Sequence, residues 1–170
     1  ILAGGVVGPV LLMLGLARVE AGNASLLLNV EGLATMAIAW VIFRENVDAR
    51  LLIGAAAILS GAVILSWNGA SLALDLGALL VVAACVAWGI DNNLTRKLSA
   101  SDPVQIASVK GLVAGAVNAG LAVYLGAPTV APVTVLSGAV IGFFGIGVSL
   151  VFFMLGLRHL GAARTGAYFS

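Results

Sequence analysis

The chain of 170 residues is 62% hydrophobic and 9% charged, with a formal net charge of +1 at pH 7. A soluble domain carries roughly 25% charged residues, so a water-dispersed globule is excluded. The near-zero net charge excludes a general nucleic-acid partner, and one cysteine, Cys85, permits no internal disulfide.

A bilayer-spanning helix needs about 20 mostly apolar residues. The charge-free run Ile1 to Ala17 is predicted as the first span, and Ala24 to Phe43, interrupted by Glu31, as the second. Leu51 to Trp67 is the third, closed by Asn68-Gly69-Ala70-Ser71, and Leu76 to Leu94 is the fourth, turning polar at Asp91-Asn92-Asn93. Val104 to Leu125 is the fifth, ended by Gly126-Ala127-Pro128, where helix breakers cluster. Val135 to Leu157 is the sixth, and Ala162 begins a seventh. These runs exceed the roughly 9 to 11 residues of a barrel strand. The expected fold class is therefore all-α: an integral membrane bundle of several spans. The chain opens on Ile1 rather than Met and stops within an apolar run at Ser170, so a piece of a longer protein is expected.

Short connections make successive helices antiparallel, and loop charge then sets orientation. The loops after the second, fourth and sixth spans hold Arg44 and Arg50, Arg96 and Lys97, and Arg158 and Arg164; the others hold Arg18 alone. The basic loops are expected in the cytoplasm.

Positions 1 to 29 are echoed, at an offset of 141, by positions 142 to 170. Val10-Leu11-Leu12-Met13-Leu14-Gly15-Leu16 returns as Val151-Phe152-Phe153-Met154-Leu155-Gly156-Leu157. Five spans separate the copies, and an odd interval inverts one relative to the other, the usual build of secondary transporters. Residues 1–70 are expected to close a first repeat and residues 71–170 to open a second. Small residues recur at helix-packing spacing: Gly4 and Gly8, Gly54 with Ala57 and Gly61, Gly111 and Gly115, and Gly138 with Gly142 and Gly145. Each set is expected to seat a neighbouring helix.

Polar groups inside the spans are the functional candidates. Glu31 falls about 3 Å from the bilayer midplane by helical rise, where a charge costs at least ~2.5 kcal/mol on insertion scales. On a helical wheel it shares one arc with Ser25, Asn29, Gly32, Thr35 and Ala39, opposite Leu26, Leu27, Val30, Leu33, Ile38 and Val41. The first arc suits a wet cavity; the alternative is a carboxyl bonded within the bundle for structure alone. Lys110 lies about 7 Å from the centre of the fifth span, free either to snorkel to the interface or to pair with an acid inside. Asn118 is two turns further in. Asp91 is expected to pair with Arg96 and Lys97 at the membrane surface, or else to form a cavity mouth with Trp88 and Asn92. Trp40 and Trp67 read as interfacial anchors.

One His and one Cys build no multi-His or multi-Cys zinc site. No H-E-x-x-H, G-x-S-x-G or Walker loop occurs, so neither an enzyme, a metal site nor a bound cofactor is expected.

At Leu28-Asn29-Val30-Glu31-Gly32-Leu33-Ala34-Thr35, running on to Phe43-Arg44-Glu45, the sequence resembles the EamA family of the drug/metabolite transporter superfamily. Gly32 stands where that family often has Pro, and Arg44 where it often has Gly. Gly54 and Gly61 match the next span, and Trp88 with Arg96-Lys97 the opening of the second domain. The resemblance implies a ten-helix permease of two inverted five-helix domains in a bacterial or archaeal plasma membrane. It implies a secondary transporter, an exporter of small metabolites, amino-acid-like compounds or drugs, working by alternating access. Glu31 is then the expected site of proton coupling or cation recognition, with Asn29 and Thr35 as neutral donors and acceptors and Lys110 as counter-charge. The competing expectation is a non-transporting scaffold, subunit or sensor, with a membrane-embedded enzyme third.

Overall fold

The computed structural model describes residues 1–66, 75–98 and 100–169. The expected end of the third span at Trp67, its closing Asn68-Gly69-Ala70-Ser71 and the division at residue 70 lie outside them.

Among the described residues all regular structure is helical. A π-helical turn at Leu2–Val7 runs straight into α1 (Gly8–Leu16). Then come α2 (Ala21–Leu28), α3 (Val30–Val41), α4 (Ala49–Ser66), α5 (Leu76–Arg96) and α6 (Pro103–Tyr124). Helix α7 (Pro132–Ile141) passes through a second π-helical turn at Gly142–Val148 into α8 (Ser149–Leu160), and α9 (Ala162–Tyr168) follows. Starts are fixed by capping chemistry: Asp75 accepts from Ala78 N at 2.7 Å, and Asp102 accepts from Val104 N at 2.8 Å ahead of Pro103. Ser60, Ser108 and Ser137 each donate to the carbonyl four residues back, which satisfies their hydroxyls inside apolar helices.

Four stretches are long and apolar enough to cross a membrane: Ala21–Val41, Leu76–Arg96, Pro103–Tyr124 and Pro132–Leu160. The distribution of side chains suits lipid rather than water. Leu112, Val123, Val133, Leu136, Phe143 and Phe144 stand outward, whereas Thr35, Asp91, Asn92, Asn93, Thr95 and Thr165 are buried. So large an apolar exterior would aggregate in water. This is a membrane protein.

The second span differs from the continuous helix expected. It breaks at Asn29, which leaves the helical pattern between α2 and α3. The side-chain amide of Asn29 donates to Leu26 O at 3.1 Å, competing with the backbone ladder at that point.

Helix α1 is antiparallel to α5, since Gly4 abuts Asp91, Gly8 abuts Trp88, and Gly15 abuts Val81 and Gly77. The second span is parallel to α5: Cys85 Sγ lies 3.5 Å from Leu27 O, and Asn93 donates to Thr35 O at 2.9 Å. The end of α8 reaches past the end of α5, where Arg158 donates to Ser101 O at 2.5 Å. The end of α1 lies instead beside the start of α5. The echoed segments therefore run in opposite directions. Their local structure repeats too: both contain a π-helical turn at matching positions, and α2 and α9 start at the echoed residues Ala21 and Ala162.

Only part of the expected glycine packing is found. Gly4, Gly8 and Gly15 are filled by α5, but a Cβ built at Gly54, Gly61, Gly111, Gly115, Gly138, Gly142 or Gly145 meets nothing within 4 Å among the described residues.

Candidate functional site

The cavity that matters lies where the second span meets α5, α8 and α9. Its volume is about 310 Å³, and its polar side is Asn29, Glu31, Thr35 and Asn92. Leu12, Leu28, Trp88, Phe153 and Phe169 close it with apolar and aromatic surface, and Gly32 and Gly166 contribute backbone. Glu31 sits in the first turn of α3, just past the Asn29 break.

Asn92 ties the polar side together. Its amide lies 3.1 Å from Glu31 Oε1 and 3.1 Å from Thr35 Oγ1, donating to both. Asn93, the next residue, donates to Thr35 O at 2.9 Å and Gly89 O at 2.8 Å. Close approach of the two helices makes this reach feasible: a Cβ at Gly89 would stand 3.0 Å from Thr35 N. Trp88 donates its indole N–H to Gly4 O at 2.9 Å. That carbonyl belongs to the π-helical turn, a distortion that recurs at functional sites. Asn118 donates to Gly5 O at 2.7 Å and Ala114 O at 2.8 Å.

Five of the eight sequence candidates, Glu31, Asn29, Thr35, Trp88 and Asn92, thus share one cavity. The other three do not line it. Asn118 is spent on the π-helical turn. Asp91 is not an interfacial partner of Arg96 and Lys97: it is buried and ion-paired with Lys110, which also donates to Thr95 Oγ1 at 2.9 Å. One turn of α5 separates Asp91 from Thr95, so both face the ammonium on α6. Lys110 is accordingly the counter-charge of Asp91, not of Glu31. Arg96 pairs with Glu45 instead, and Lys97 stacks 5.0 Å over the Phe43 ring. Trp40 stands half exposed near the end of α3, as an anchor would.

Leu12, Leu28, Phe153 and Phe169 were not among the candidates, although a signal for them exists. Phe153 is the echo of Leu12, and Phe169 is the echo of Leu28. Both pairs line the cavity, which places it where the two inverted segments face one another. Phe153 and Phe169 also meet edge to face, with centroids 4.8 Å apart.

What this arrangement can do is hold a small solute with an apolar body against aromatic walls, while one carboxylate and three neutral groups face its polar end. Among the described residues no cluster of His, Cys, Asp and Glu could hold a metal ion.

A family model described as the EamA-like transporter family matches residues 1–67 and 75–170. A curated protein of Methanothermobacter thermautotrophicus, described as an uncharacterized transporter, is 35% identical over 172 aligned residues, covering 96% of this chain and 50% of its own length. The chain thus spans about half the length of that relative. No solved structure matches.

Proposed function

The chain belongs to the EamA-like transporter family, and we propose that it forms the solute path of a secondary transporter working by alternating access. The observation that carries this reading is the pairing of echoed residues, Leu12 with Phe153 and Leu28 with Phe169, around one cavity that also contains Glu31. Two inverted segments that share a central cavity can expose it to either side by tilting against each other, with little change inside each. The repeats meet near residues 70 and 71, and the basic loops after α3, α5 and α8 face the cytoplasm of a bacterial or archaeal cell.

Glu31 gives the site its chemistry. It accepts one hydrogen bond from Asn92 and has no salt bridge among the described residues, so a proton or a cationic group of the solute can neutralise it. Asn92 and Thr35 orient the polar end of the solute. The walls and the modest volume suit amino-acid-like compounds, small amines and compact drugs, and the direction proposed is export.

Reconstitution of the full-length protein into liposomes, with a panel of amino acids and aliphatic and aromatic amines, tests the proposal. Accumulation of at least one panel member against its gradient, driven by a pH difference, is expected. A folded, inserted protein that moves none of them and binds none in thermal-shift assays would favour the scaffold or sensor reading.

A further inference from the structure

We propose that Glu45 is the latch of a gate at the end of the bundle where the connections after α3, α5 and α8 meet, and that α9 is the element it holds. The inference builds on the transporter reading, because a gate has meaning only if the cavity opens.

Glu45 comes from the segment 1–66, and its carboxylate engages Arg96, Ala162 and Ala163 from the segment 75–169. Its side chain is only 10% exposed. It is ion-paired with Arg96, accepts from Ala162 N at 3.2 Å and accepts from Ala163 N at 3.0 Å. One carboxylate thus clamps the end of α5 and the base of α9 together. Such charge-assisted bonds are strong while engaged, and a carboxylate left unpaired at that depth is unfavourable. Intermediate positions are therefore disfavoured, and the contact behaves as made or released. A second contact of the same polarity, Asp48 to Arg164 at 3.5 Å, lies outside it with both side chains half exposed.

The seat is built by one departure between the echoed copies. Gly161 has φ +84°, and a Cβ there would fall 3.1 Å from Glu45 Oε2. Its counterpart in the first copy is Glu20, at an ordinary φ of −60°. Only the second copy has both the left-handed turn and the room for an incoming carboxylate. Beside the seat, a cavity of about 600 Å³ lined by Arg96, Arg158, His159 and Arg164 gives the released carboxylate a polar place to go.

What the latch holds is a wall of the site. A Cβ at Gly166 on α9 would stand 3.0 Å from Thr35 and 3.2 Å from Gly32 O, so α9 is pressed against α3 beside Glu31. Phe169 continues that wall. Release of Glu45 frees the base of α9 at the Gly161 turn, and α9 can then swing from Thr35 and admit water from this end.

The test uses full-length protein in liposomes, with Cys85→Ser and a reporter Thr35→Cys beneath α9. A charged, membrane-impermeant thiol reagent is applied from the Glu45 side, and the labelling rate is read. Thr35 is fully buried, so labelling is slow while the latch is closed. Glu45→Gln and, independently, Gly161→Ala are each expected to raise the rate roughly tenfold by shifting the population toward the open form. Should Glu45→Gln fail to insert, Gly161→Ala carries the test, because it leaves every charge in place. Rates unchanged in the inserted variants overturn the latch. The assay needs no substrate, so faster labelling in a protein that moves no solute would refute the transport reading and leave the latch standing.

Discussion

The buried pair Asp91–Lys110 offers a quantitative check of the packing described here. Their side chains are 7% and 13% exposed, so solvent screening is slight and the partners depend on each other. Asp91→Asn preserves volume but removes the anion, leaving the Lys110 ammonium with Thr95 Oγ1 as its hydrogen-bond acceptor among the contacts described. Breaking one side of a buried pair costs about 3–5 kcal/mol. A double-mutant cycle with Lys110→Met isolates the Asp91–Lys110 coupling, expected at about 3 kcal/mol, with the double variant far less damaged than the sum of the singles. Reversible unfolding in mixed micelles, followed by tryptophan fluorescence, supplies the four free energies. A coupling below about 0.5 kcal/mol, the level at which distant sites simply add, would refute the pairing and with it the register of α6 against α5.

Gly8→Ala would place a methyl 2.6 Å from Trp88 Nε1; a loss of about 1–3 kcal/mol is expected, whereas Gly54→Ala on an open helix face should be neutral or stabilising in the same unfolding assay. Arg44 holds φ +54°, a left-handed conformation, so Arg44→Gly should raise the thermal midpoint, reflecting relief of roughly 1 kcal/mol. Single cysteines at Asn46 and Thr129 in a Cys85→Ser background should label from opposite faces of intact cells, Thr129 from outside. Labelling of both from one face would end the topological assignment.

Four of the spans were legible because a membrane helix needs only length and apolarity, and both are written in the runs around Ala24, Leu76, Val104 and Val135. Arg and Lys concentrate on alternate connections, and the cysteine-labelling prediction above tests the loop side that this pattern implies. Which polar group meets which was not legible. Asp91 sits four residues from Thr95 and five from Arg96, and sequence distance favoured the cationic neighbour. The partner chosen, Lys110, depends on the rotation of α6 against α5, which no periodicity within either helix records. The break at Asn29 escaped notice because the apolar run continues through it and the cause is one side-chain amide turned back on its own helix. The Gly-to-Arg departure at Arg44 was visible, but its meaning, a positive φ that suits glycine, needed the backbone. The aromatic walls were in principle available: the offset of 141 that revealed the repeat also pairs Leu12 with Phe153 and Leu28 with Phe169.

The central claim about the chemistry of transport is that Glu31 is the working group of the cavity, and one comparison of fluxes addresses it. Full-length wild type and Glu31→Gln are reconstituted side by side, and two fluxes of the same solute are measured: net movement driven by a pH difference, and exchange at equal pH on both sides. Gln keeps the volume and can still bond Asn92, so folding and insertion should be preserved. The prediction is loss of pH-driven movement with exchange much less affected, because exchange requires no net proton transfer. Glu31→Gln that accumulates or expels solute at the wild-type rate, with the wild-type pH dependence, would contradict the account and leave Glu31 as a structural residue.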